Sequence, residues 1–153
     1  MASIKGFDDV AKHFEKLTKY VGRGNARVEV GLLHNAPDYP DGTSVIAVGT
    51  YNEFGGDGGK PPARHWLRKA IEANQPFYKE RMAEILKKPA GIERTRLLRE
   101  LARASSEKVK DHIWNNDIGL LPNKDSTARA KGGDTPMVDS QHLVRSIDSR
   151  IVE

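Results

Sequence analysis

The residues best placed to do chemistry lie between Thr50 and Ile71, in TYNEFGGDGGKPPARHWLRKAI. Gly55, Gly56, Gly58 and Gly59 precede Lys60, which raises the question of a phosphate cradle. A nucleotide loop of that kind needs Gly, four residues, then Gly-Lys-Ser/Thr, because the hydroxyl holds Mg²⁺ and the loop opens a helix. Here Phe54 stands at the first glycine position and Pro61 follows Gly59-Lys60. Pro61 and Pro62 also remove two N–H donors where phosphate would sit. The nucleotide reading fails on these counts.

Other chemistries fare no better. The Asp38/Asp41-Gly42 segment puts Pro37, Tyr39 and Val48 where a calcium loop needs ligands. His13, His34, His65, His112 and His142 form no HExxH or other close pair, so they read as surface or capping residues. No serine sits in a Gly-x-Ser-x-Gly elbow. Zero cysteines remove disulfides, thiolate zinc sites and a cysteine nucleophile together. Glu53 and Asp57 flank the glycine loop, but acids in turns are routine. The expectation is a chain with no catalytic residue, cofactor or metal; a hydrolase acting through Glu53 has no positive support.

The glycine stretch therefore reads as a flexible loop at 55–60, a joint stiffened at its exit by Pro61-Pro62. Arg64, Arg68 and Lys69 would lie on or near the exposed side, with the amphipathic Trp66 beside them. Trp and Arg are favoured anchors at protein interfaces. The alternative, Trp66 in the core with solvated arginines, has equal standing.

The surrounding elements follow from periodicity. Phe7, Val10, Phe14, Leu17 and Val21 make one face of a helix that Gly22 and Gly24 end. Arg27–Leu32 alternates as a half-buried strand with Val28, Val30 and Leu32 on one face. Ser44–Phe54 fits either period; a Thr43 or Ser44 cap tips it towards helix. Helices are expected over Arg64–Ala73, Phe77–Lys87 and, longest, through Leu97, Leu101, Ser105, Val109 and Ile113 to Asn115-Asn116. Residues 117–138 are polar and rich in turn formers, an extended arm or a loop ordered by a neighbour. Asp139 should cap a short helix around Leu143, and Ser146–Ile151 alternates as a second strand. The fold class is α+β, one domain over 1–153, with a small antiparallel or mixed sheet made from strands near both ends and packed with several helices, plus loop and arm segments.

Bulk properties agree with such a domain. The 153 residues are long enough for a core, with 37% apolar and 30% charged residues. No apolar run approaches a membrane span, and MASIKGFDDVAKHF has no secretory h-region, so a cytoplasmic context is expected. Residues 1–60 hold 7 Lys/Arg against 8 Asp/Glu, while 61–153 hold 18 against 13. That mild later excess leaves open a nucleic-acid-binding protein using Arg94, Arg96, Arg99 and Arg103. Glu93, Glu100 and Glu107 interleave with those arginines, which suits pairing along a helix better than a phosphate track.

Two stretches also carry a family resemblance. Asn52-Glu53-Phe54-Gly55, then Pro62-Ala63-Arg64-His65-Trp66-Leu67-Arg68-Lys69-Ala70-Ile71, resembles the "NEFG … PARPFLRPA" signature of bacteriophage tail-completion, or minor tail component, proteins. Leu121-Pro122, Ser126-Thr127-Ala128-Arg129, Lys131-Gly132, Pro136-Met137-Val138-Asp139-Ser140 and Leu143 with Arg145-Ser146-Ile147 resembles that family's closing motif. The two together cover residues 43 to 152. His65-Trp66 replaces the usual Pro-Phe, Ser140-Gln141 replaces Thr-Gly, and the glycine loop is longer than the common link.

The resemblance implies a structural virion protein of the tail neck, assembled in the host cytoplasm, with no cofactor. It implies a homo-oligomeric ring, taken as a hexamer, that touches tail-tube, tail-terminator or head-tail connector proteins. DNA passing through the channel could meet basic residues by phosphate contact alone. The candidate contact residues are Phe54, Arg64, Trp66, Arg68, Arg129 and Lys131.

Overall fold

The computed structural model describes residues 26–89, 91–138 and 141–152. The expected helix over Phe7–Val21 and the Asp139 cap lie outside the described residues. In order come β1 (Arg27–Leu32), α1 (Val45–Phe54), a 3₁₀ turn (Asp57–Gly59), α2 (Trp66–Ala73), α3 (Gln75–Leu86), α4 (Ile92–Asn115), α5 (Asp125–Lys131), α6 (His142–Arg145) and β2 (Ile147–Val152). The class is α+β, as the sequence implies.

The strands from the two ends pair antiparallel, with Arg27 opposite Val152 and Leu32 opposite Ile147. Alternation puts Val28, Val30 and Leu32 on the face they share with Ile147, Ser149 and Ile151. On the other face Glu29 joins Arg27 and Arg150, each at 2.8 Å. The helix α4 packs on the sheet, more on β2 than on β1.

The α4 stripe is the one the spacing predicts: Leu97, Leu101, Ala102, Ser105, Val109 and Ile113 are buried. Ser105 is tolerated there because its hydroxyl donates to Leu101 O at 2.7 Å. Asn116, with φ 49°, ends the helix. One core cluster gathers Val45, Trp66, Ala70, Val109, Ile113, Leu120, Met137, Leu143, Val144 and Ile147. A smaller one joins Ile85, Leu97 and Leu101, with Val28, Phe77 and Met82 against it.

Ser44 caps α1 through Ala47 N, which settles the ambiguous stretch as helix. The short α6 begins after Gln141, itself in the left-handed region at φ 63°. Two expectations are corrected. The segment 117–138 contains α5, and it packs on its own chain through Leu120, Pro136 and Met137. Asn123 Nδ2 bonds the Asp134 and Thr135 carbonyls at 3.3 and 3.4 Å, drawing the two ends of that segment together. Also, α2 starts at Trp66 and not at Arg64, for a reason that belongs to the site.

Candidate interaction site

The first motif folds back on itself at the C-terminal end of α1. Arg64 N–H donates to Asn52 O at 2.7 Å and His65 N–H to Glu53 O at 3.3 Å, so these two residues pair with α1 instead of opening α2. His65 holds φ 53°, in the left-handed region that a proline cannot take. Glu53 then supplies the missing cap: its Oε2 accepts from Leu67 N at 2.8 Å, in the first turn of α2. Glu53 is 7% exposed. Its role is to tie two helices together, which explains an acid that the sequence left as an ordinary turn residue.

Arg64 is the second tie. It was expected on the exposed side, yet it is buried. Its guanidinium donates to Asn52 Oδ1 at 2.6 Å, Leu121 O at 3.1 Å and Asn123 Oδ1 at 3.3 Å. These acceptors are all neutral, and burial pulls its pKa below the ordinary arginine value. Hydrogen bonds to a charged group contribute about 1.5–3 kcal/mol each, which offsets the cost of taking the cation out of water. Asn123 is the residue that also draws in Asp134 and Thr135, so Arg64 connects the first motif to the arm. Lys69 Nζ adds a bond to Gly119 O at 2.6 Å.

Trp66 resolves in favour of the core. It is 2% exposed, and its indole N–H donates to Gly49 O at 2.9 Å. Gly49 lies where α1 meets Leu32 and Trp66, and a Cβ there would fall 2.2 Å from Leu32 Cδ1.

The glycine stretch, expected as a flexible joint, folds as a hydrogen-bonded turn. Gly56 N–H donates to Pro61 O and Gly59 N–H to Gly56 O, both at 2.9 Å. Gly58 and Gly59 hold φ 64° and 75°. A Cβ on Gly56 would lie 2.2 Å from Lys60 O, so this glycine allows the two arms of the turn to meet.

Of the candidate contact residues, Phe54, Arg64 and Trp66 therefore share one hub, but only Phe54 offers its side chain to solvent, at 57% exposure. Arg68 is half-buried on α2. Arg129 is exposed on α5, which Lys131 ends.

The outer face of α1 is what the sequence reading missed. Ile46, Ala47, Thr50, Tyr51 and Phe54 are all exposed and all uncharged. Thr50 turns its hydroxyl back to Ile46 O at 2.8 Å, leaving that face poorer still in polar groups. Arg64 brings Leu121, itself exposed, beside the C-terminal end of the same helix. The available signal was the charge count: Glu53 is the sole charged residue from Val45 to Phe54, and it points inward.

The arginines considered for phosphate contact separate. Arg96 pairs with Glu100 at 2.9 Å, and Arg94 turns onto Lys88 O. Arg99 and Arg103 have no side-chain hydrogen bond or ion pair among the described residues. Among these residues there is also no group of three or more His, Cys, Asp or Glu able to hold a metal, and no helix long and apolar enough to cross a membrane. In comparisons with protein-family models, curated proteins and solved structures, nothing matches this chain.

Proposed function

We propose that this chain is a structural subunit of a tailed-phage neck, completing the head-proximal end of the tail and joining it to the connector as a ring. The observation that carries the proposal is the uncharged outer face of α1. In a chain with 30% charged residues, a ten-residue surface helix that exposes Ile46, Tyr51 and Phe54 and hides its one carboxylate is built for contact. Aromatic residues are enriched and charges depleted at the centre of protein interfaces.

The two motifs support the same reading. Asn52, Glu53 and Arg64 fix α1 to α2 and to the 117–138 segment, so its outer face is presented on a braced scaffold. A ring subunit needs that, because each copy must meet the next at the same angle for the ring to close. The function is mechanical and assigns no catalytic residue or cofactor. Its partners are further copies of itself, with tail-tube, tail-terminator or head-tail connector proteins at the ring faces, and its site of action is the virion.

Negative-stain electron microscopy of the purified chain over a concentration series, alone and with those tail proteins, tests the proposal. Closed rings of one size support it. A chain that stays monomeric with every partner and binds duplex DNA with a steep salt dependence overturns it.

A further inference from the structure

The sheet has two strands, so each has one neighbour among the described residues. The second edge of β2 borders a groove of about 550 Å³ whose floor is α4. Arg99, Ala102, Arg103 and Ser106 line it from the helix, and residues 148–151 line it from the strand. Ala102 and Ser106 are small and buried, and Ser149 Oγ reaches Ser106 Oγ at 3.5 Å, joining the strand to the groove floor.

Among the described residues no second strand pairs with the main chain at this edge. Ser149 N–H donates to Asp148 Oδ1, at 2.8 Å, the carboxylate of its own neighbour. A side chain covering an edge amide is a common way to keep an open strand from pairing indiscriminately.

The charges around the groove are not balanced. Glu107 lies 3.6 Å from Lys110, and Arg150 is held by Glu29 across the sheet. Asp148 is engaged with Ser149 N–H. Arg99 and Arg103, one helical turn apart, remain unpaired among the described residues, so the groove's uncommitted charge is positive.

We infer that the open edge of β2 takes an extended acidic segment of a partner protein as a third strand. The partner's main chain pairs with β2, displacing the Asp148 carboxylate from Ser149 N–H. Its inward side chains are the carboxylates, which pass over Ala102 and Ser106 to meet Arg99 and Arg103. A stretch alternating acidic and small β-branched residues sets every carboxylate on the face turned to α4. A nucleic acid would satisfy the two arginines and leave the strand edge unused, which is why a peptide is favoured. The inference is independent of the neck assignment, since it rests on α4 and β2 and makes no use of α1.

The test is fluorescence polarisation with a labelled hexapeptide of alternating glutamate and valine, offered to the full chain at low salt. Saturable binding is expected. The R99E/R103E double variant should weaken it about tenfold, the summed loss of two exposed ion pairs. D148A removes a like charge and frees the Ser149 amide, so it should bind more tightly, a gain that a damaged fold would not produce. The same peptide N-methylated at alternate amides should lose binding, and a lysine–valine peptide should not bind. Absence of binding by the acidic peptide, equal binding by its N-methylated form, or no gain in D148A overturns the inference. Tighter binding of a duplex oligonucleotide, lost in R99E/R103E, overturns it in favour of a phosphate track.

Discussion

Helices α1 and α4 follow opposite rules. The longer one buries Leu97, Leu101, Val109 and Ile113 and sets its charges outside, where Arg96 and Glu100 pair one turn apart. The shorter one places a carboxylate inside and two aromatic side chains outside. For α4, burial of the apolar stripe is reason enough to fold where it does. For α1, the inner face is organised by Ser44, Glu53, Gly49 and Arg64, and the outer face is left for something else. With Val45 in the core and Glu53 inside, α1 still leaves Ile46, Tyr51 and Phe54 uncovered among the described residues.

Tryptophan gives the largest test of that contrast. Trp66 fills the core while Trp114, on α4, is 42% exposed. Trp66→Ala should cost about 3–5 kcal/mol in urea unfolding, whereas Trp114→Ala should stay near or below about 1 kcal/mol. Similar losses for the two would break the distinction.

Next come the ties. Removing Arg64 leaves Asn52, Leu121 and Asn123 each short of a donor. Removing Glu53 leaves the Leu67 N–H without its acceptor. Arg64→Ala and Glu53→Ala should each destabilise by about 1–3 kcal/mol, with Arg64 the greater. Glu100→Ala, the exposed carboxylate of α4, should change stability by no more than about 0.5 kcal/mol. Arg64 is a contact candidate by residue type and place in the sequence; its burial makes it a folding residue.

Gly56→Ala sharpens the account of the turn. The added methyl meets the Lys60 carbonyl carbon at 2.8 Å as well as its oxygen, so the closing bond to Pro61 O must lengthen. A cost of about 1–3 kcal/mol is expected, against a fraction of that for Asp57→Ala in the same turn.

The smallest effect concerns acid. The Arg27 guanidinium, then that of Arg150, holds the Glu29 carboxyl below the usual carboxylate range. A group lowered in the folded state contributes stability above its unfolded pKa and loses it as pH falls through the folded value. NMR titration should therefore show Glu29 protonating at lower pH than in the Arg150→Ala variant. No change between the two would remove the cross-strand pair from the account.

Much of the fold was legible because periodicity reports burial. The α4 stripe, the two strands and a cap at Thr43 or Ser44 follow from local spacing and capping chemistry, while spacing leaves the antiparallel sense of the pairing open. What was not legible depends on contacts distant in sequence. Arg64 reaches Leu121 and Asn123, more than fifty residues on, and no local pattern separates an arginine aimed at a carbonyl from one aimed at water. The start of α2 was misplaced for the same reason: the Arg64 and His65 amides go back to α1, and only the folded chain reveals that. The 117–138 segment looked unstructured because its buried residues, Leu120, Pro136 and Met137, are too far apart to make a period. The outer face of α1 was legible in principle, since a run from Val45 to Phe54 with one charge is unusual in so polar a chain.

The most direct test of the central claim is light scattering of the purified chain beside a Tyr51→Glu/Phe54→Glu variant, with thermal melting of both. Both positions are exposed, so the melting curves should nearly coincide. The account predicts that the unaltered chain assembles into a closed oligomer with rising concentration while the variant stays monomeric. Equal masses for the two at every concentration, whether monomer or oligomer, would contradict the assignment of α1 as the surface through which copies meet.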